Sequence, residues 1–124
     1  MLSFRANTKH NYQFKGQFFE RLALLLLLLK GYRCIGKNVR GKGGEIDLLF
    51  CKKHVLVLVE VKYRSSREKA HYAIHPKQKT RLLKSATSFL SSYPQHDIRL
   101  DVVLFYPKWP FVEHIKQAWD KTGL

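Results

Sequence analysis

The sequence predicts an α/β domain, a small mixed sheet with helices packed on it. Three observations carry this. Phe14, Phe18, Leu22, Leu25 and Leu29 recur three or four residues apart, the period of a helix face. Two runs at about 45–50 and 55–64 are rich in Val, Leu and Ile, as buried strands are. Farther on, Ile98, Leu100, Val102 and Leu104 alternate with other residues at the period of a strand. A chain of 124 residues makes one domain spanning 1–124, with one modest core, and its 45% hydrophobic content is that of a folded protein.

The elements follow in order. Residues 1–12 are polar and expected to be loosely held, and a helix is expected from about Tyr12 to Lys30. Its all-leucine middle predicts that the fold covers most of it, and Gly31 is a natural stop. Tyr32 to Val39 reads as a short extended piece. Arg40-Gly41-Lys42-Gly43-Gly44 reads as a flexible basic loop whose amides and Lys42 could approach phosphates. Two strands come next, joined through the short polar connection Cys51 to His54. Residues 65–76 read as a polar loop, and Pro76 opens a second helix to about Ser91. After the strand at 98–105, Trp109-Pro110 turns the chain, and Val112 to Trp119 reads as a strand end or a short last helix.

Twenty-three Lys and Arg against 9 Asp and Glu give a net charge of +14. Residues 1–43 hold nine of those bases and a single acid, Glu20, a local balance of 9 − 1 = +8. Charge this uneven suits a polyanion, nucleic acid first. Cys34 and Cys51 have no metal-ligand spacing and read as thiols of a reducing compartment. The apolar stretch Leu22–Leu29 is far below the roughly 20 residues that span a bilayer. A cytoplasmic protein with no membrane partner is expected.

Chemistry concentrates in Gly44-Glu45-Ile46-Asp47-Leu48-Leu49-Phe50 and Val55 to Arg64. In the second run Glu60 and Lys62 stand two apart in an otherwise apolar strand, so their side chains share a face. Charge at such a place is costly unless it is paired or binds something. With Asp47 on the preceding strand, the group makes a candidate site for Mg²⁺ or Mn²⁺, ions that take one or two carboxylates with carbonyls and waters. The two carboxylates would then stand roughly 4–6 Å apart. Lys62 could orient an attacking water or neutralise charge on a phosphate. The plain alternative is a pair of surface salt bridges, Glu60 with Lys62 or Arg64. His71 and His75 are four apart, but Pro76 argues against one helix carrying both.

Beyond spacing, a longer pattern is present. Gly16…Glu20…Ala23, Gly31-Tyr32, Asn38-Val39-Arg40, GEIDLL, VEVK followed by Tyr63-Arg64, Lys77-Gln78 with Arg81-Leu82, and Arg99 to Val103 together resemble the YraN-like bacterial proteins. These are relatives of Holliday-junction resolvases in the PD-(D/E)xK nuclease superfamily. Ile46 stands where the motif's name expects proline, and the segment 70–75 lacks the Phe-Gly pattern frequent in that family. The resemblance implies a restriction-endonuclease-like fold with Asp47 and Glu60 as metal ligands, Lys62 as the catalytic lysine and Glu20 reaching toward the metal. The plain alternative for Glu20 is a helix-surface carboxylate paired with Lys15 or a neighbouring arginine.

The function expected is metal-dependent endonucleolytic hydrolysis of branched or structured DNA. Arg40, Lys42, Arg64, Lys77 and Lys79 would grip the phosphate backbone. The rivals are a non-catalytic nucleic-acid-binding module on the same fold and an RNA- or ribosome-associated protein. Phe105, Tyr106, Trp109, Phe111 and Trp119 either pack on the leucine helix or form the interface of a homodimer.

Overall fold

The computed structural model describes the backbone of residues 2–119 and the side chains of residues 16–119. Eight elements follow one another: α1 (Leu2–Leu29), β1 (Arg33–Gly41), β2 (Gly44–Lys52), β3 (Val55–Tyr63), α2 (Arg67–Tyr72), α3 (Pro76–Ala86), β4 (Asp97–Phe105) and β5 (Val112–Ile115). The strands form one sheet in the order β1-β2-β3-β4-β5. Neighbours run antiparallel except β3 and β4, which are parallel across the α2–α3 crossover. This is the mixed α/β architecture that the strand and helix periods predict.

Helical backbone in α1 reaches back past Tyr12. The looseness expected of residues 1–12 and the role of Phe14 concern side chains outside those described. The helix ends as Gly31 predicts. Gly31 takes φ +90°, its N–H donates to the Leu28 carbonyl at 3.0 Å, and the Tyr32 N–H donates to the Leu27 carbonyl at 3.0 Å. These two bonds close the last turn around a residue in left-handed backbone.

The sheet separates two apolar layers. Ala23, Leu27, Tyr32, Leu48, Phe50, Val57, Val59, Val103 and Phe105 lie on the α1 side. Ile46, Leu49, Leu56, Leu58, Leu82, Leu100, Val102, Leu104 and Trp119 lie on the α3 side. Phe19 stacks on Tyr63, with ring centroids 4.5 Å apart and an interplanar angle of 12°, and ties α1 to the end of β3.

Four expectations are corrected. The leucines of α1 are not mostly covered: Phe18, Leu22, Leu25, Leu28 and Leu29 are exposed, Leu29 at 79%. Eight consecutive apolar residues wrap the whole circumference of a helix, and a sheet covers only one side. Residues 40–44 are no flexible loop but the end of a β-hairpin, with Gly41 opposite Gly44. Residues 65–76 contain a short helix, α2, with the Ser66 side chain accepting from the Lys69 N–H as its cap. Finally, α3 stops at Ala86, and turns occupy most of the stretch to Ser91.

β1 is an edge of the sheet. It carries exposed Arg33, Lys37 and Arg40, a register shift between Cys34 and Gly36, and Asn38 at φ 50°. Among the described residues no helix is long and apolar enough to cross a membrane. Cys34 and Cys51 are both free.

Candidate functional site

The site forms where β2 and β3 part. Their ladder runs from Lys52↔Val55 to Leu48↔Val59. The next residues in that register would be Asp47 and Glu60, but there the side chain replaces the backbone: Asp47 Oδ2 accepts the Val61 N–H at 2.8 Å. A carboxylate is thus fixed in the fork between two strands. Glu60 stands beside it, close enough for the two carboxyls to share a hydrogen bond when one is protonated. Glu60 is only 3% exposed. Burial first, and then the charge of Asp47, pushes its pKa up from the usual 4.5 to about 7, although Lys62 and Arg81 pull the other way.

From α1, Glu20 reaches Asp47 on the other side. Its carboxyl is also pushed up to about 7, by burial and then by the Asp47 charge. With its amide nitrogen toward the acids, Asn38 donates to Glu20 Oε1 at 3.0 Å and to Glu45 Oε1 at 3.1 Å. Glu45 therefore has Asn38 as a partner. Lys62 lines a depression of about 340 Å³ together with Glu20, Val61, Tyr63 and Arg64. Asp47, Glu60, Lys62 and Glu20 are thus brought together by the fold.

Sequence reasoning missed one participant. Arg81 of α3 sends Nη2 to Glu60 Oε2 and Nη1 to the Glu45 carbonyl at 2.7 Å. Glu60 is ion-paired to this arginine, not to Lys62 or Arg64 as the salt-bridge alternative held. Nothing near Arg81 in the chain points to Glu60, 21 residues away. The signal available was a buried strand carboxylate in need of a cation.

The hairpin tip is seated on the same helix. Gly43 N–H donates to Ser85 Oγ at 3.0 Å, Lys42 N–H to Ser88 Oγ at 3.1 Å, and Ser85 Oγ donates to the Gly44 carbonyl at 3.2 Å. The amides expected to meet phosphates are therefore occupied by serine hydroxyls. A Cβ on Gly43 would stand 2.1 Å from the Arg81 carbonyl, so the hairpin approaches α3 as only glycine permits.

Of the basic residues expected to hold a backbone, Arg64 lines the same depression as Lys62. Arg40 and Lys42 are exposed on the hairpin, Lys77 and Lys79 stand in the first turn of α3, and exposed Arg64 follows Lys62. Among the described residues none of the five makes an ion pair. Arg64 instead donates to the Tyr63 carbonyl at 2.7 Å.

Do these residues fit a divalent cation? Glu60, buried, and Asp47, half-buried, supply adjacent oxygens whose shared negative charge is only partly offset, which is the donor chemistry Mg²⁺ and Mn²⁺ take. As the side chains stand, no group of three His, Cys, Asp or Glu among the described residues is arranged to hold a metal ion. The fit is that of two carboxylates, with the rest of the coordination sphere left to carbonyl, water and phosphate oxygens. His71 and His75 do not form a metal pair. His71 is in α2 against Glu113 at 3.2 Å, while the His75 side chain accepts from the Lys77 N–H at the start of α3.

Two further polar clusters lie elsewhere. Asp101, fully buried, accepts from Arg99 at 2.8 and 2.9 Å and from the Gln117 N–H at 3.2 Å, with His114 Nε2 at 2.7 Å. Arg99 and Asp101 stand two apart on β4 and so share a face. Burial pushes the Asp101 carboxyl up, but the bonds from His114 and Arg99 prevail and hold it below the usual range. Glu113 gathers Tyr106, His71 and Arg67, whose bonds outweigh burial and bring it down to about 2.

A mixed α/β domain with an acidic fork and a lysine beside it, on a strongly basic chain, defines the class. Residues 19–105 match the model of Uncharacterised protein family UPF0102, and the chain belongs to that family. A UPF0102 protein of Parvibaculum lavamentivorans is 42% identical over 104 residues, 81% of this chain and 77% of the relative. One from Bradyrhizobium sp. (strain ORS 278) is 38% identical over 106 residues, covering 83% and 74%. One from Methylorubrum extorquens (strain PA1) is 35% identical over 114 residues, covering 89% and 88%.

Proposed function

We propose that this protein is a metal-dependent endonuclease of the PD-(D/E)xK type acting on branched or structured DNA. The observation that carries the reading is the fork itself. Asp47 and Glu60 stand side by side where two buried strands separate, with Lys62 two residues on. A fold gains nothing in stability from a buried carboxylate set beside a second, half-buried one. A bound Mg²⁺ or Mn²⁺ would polarise the phosphate and lower the pKa of a coordinated water.

The chain's own residues supply the rest. Asp47, held by the Val61 N–H, and Glu60 offer the oxygens. The Lys62 ammonium offers charge to a phosphate oxygen and a donor to the attacking water. Arg40, Lys42, Arg64, Lys77 and Lys79 hold the backbone by charge, which reads shape and not sequence. Glu20 stands behind Asp47 as an acceptor for a proton.

The test is incubation with labelled four-way junction, flap and linear duplex DNA in Mg²⁺, Mn²⁺ or EDTA. Cleavage of the branched substrates that EDTA abolishes and Lys62→Ala reduces about 10²-fold or more is expected. Binding without cleavage under either metal would sink the nuclease reading. It would favour a second one, a nucleic-acid-binding module on the same fold, for which the ion pair of Glu60 with Arg81 speaks: a carboxylate already matched by an internal cation needs no metal.

A further inference from the structure

We infer that Arg81 is the resident counter-cation of the acidic fork and competes with the divalent ion for Glu60. The inference rests on the metal-site reading above and deepens it. Three observations carry it. First, Arg81 Nη2 is bonded to Glu60 Oε2, one of the oxygens a cation would need. Second, the guanidinium is held there on purpose-built surroundings, with Nη1 on the Glu45 carbonyl at 2.7 Å and the Arg81 side chain within van der Waals reach of where a Cβ on Gly44 would be. Third, Glu60 is buried while the Arg81 side chain is 32% exposed. The carboxylate cannot turn to water to shed its partner, whereas the arginine can swing outward.

The consequences follow from charge alone. Without a divalent ion, Arg81 offsets Glu60 and keeps the fork from flying apart beside Asp47. When the ion enters, it must take a carboxylate oxygen from a fork-shaped donor that is already bonded. The arginine therefore lowers the intrinsic affinity of the site and releases Glu60 only to a competing cation. Set free, the partly exposed guanidinium is available to meet a phosphate. Arg81 is thus a positioning residue that sets when the site is loaded.

The experiment measures Mn²⁺ binding by titration calorimetry and by electron paramagnetic resonance on the full chain without DNA. It compares the natural protein with Arg81→Gln, Arg81→Lys and Asp47→Asn, with circular dichroism as a check of the fold. Arg81→Gln is expected to bind Mn²⁺ about tenfold more tightly or better, as close charge pairs couple strongly. Arg81→Lys, which keeps the charge but loses the fork, should fall between. Asp47→Asn should abolish binding. A Gln variant no tighter than the natural protein overturns the inference while leaving the metal site standing. Should the Gln variant not fold, a Lys variant no tighter than the natural protein does the same. Mn²⁺ binding that ignores Asp47→Asn, or its absence from every variant, removes the metal reading itself and the inference with it.

Discussion

Stability of the metal-free protein should fall as pH rises from 5 to 7.5, because burial and the neighbouring Asp47 outweigh the pairing of Glu60 with Arg81. Glu60 carries the effect. Its pKa is raised in the fold from 4.5 to about 7, so between those values the folded state holds a proton that the unfolded chain has released. Stability changes with pH as the protons bound unfolded minus those bound folded, a negative number here, so it declines across that window. A rise from 4.5 to about 7 corresponds to about 3 kcal/mol for a buried group. Glu20 adds in the same direction, less strongly because it is partly exposed. Glu113 and Asp101, lowered in the fold, contribute stability that is present above the unfolded pKa and lost only in acid, below this window. Urea unfolding at pH 5, 6 and 7.5 in EDTA measures the decline, and Mg²⁺ should restore stability at pH 7.5 but not at pH 5. Glu60→Gln should flatten the curve. Stability in EDTA that is constant or rises toward pH 7.5, with Glu60→Gln changing nothing, would refute the reasoning.

Gly43→Ala should cost about 2 kcal/mol or more, because the new methyl meets the Arg81 carbonyl, and a melt within a degree of the natural protein would contradict that packing. Asp101→Ala leaves Arg99 and the Gln117 N–H without their acceptor and should cost about 3–5 kcal/mol by urea unfolding. Affinity for duplex DNA should drop about 10³-fold between 50 and 200 mM salt if six or more phosphates are contacted, and a flat response would reduce the +14 charge to a matter of solubility. The uncovered leucines of α1 and Trp109, 83% exposed, should bring two copies together at micromolar concentration, so light scattering should give twice 14.6 kDa. A monomer with and without DNA would rule out symmetric junction cleavage.

What the sequence made legible was what two adjacent strands decide. Asp47, Glu60 and Lys62 could be placed together because alternation and a four-residue connection leave few alternatives. Arg81 was not legible, since a helix 21 residues away meets Glu60 only through the tertiary crossover. The hairpin at 40–44 was misread because glycines signal freedom in a sequence, whereas here they signal close approach to Ser85 and Arg81. α2 escaped because six residues with a single buried apolar position, Ala70, give no period to read. The leucines of α1 gave too strong a signal: composition announced burial, but geometry allows a sheet to cover only one side of a helix.

The construction of β1 has a consequence for how the molecule keeps company with its own kind. An unpaired strand edge is a template on which any other chain can add a strand, the first step toward fibrils and precipitates. Here Arg33, Lys37 and Arg40 line that edge with like charge, and the slip between Cys34 and Gly36 with the left-handed Asn38 spoils its straightness. A second copy offering the same edge meets repulsion and mismatched hydrogen bonds together. At the opposite margin β5 is four residues long, too short to seed a ladder. Neither edge of the sheet therefore invites a further strand, and copies that associate would do so through exposed apolar side chains such as those of α1 and Trp109, where the contact can close on two partners and stop.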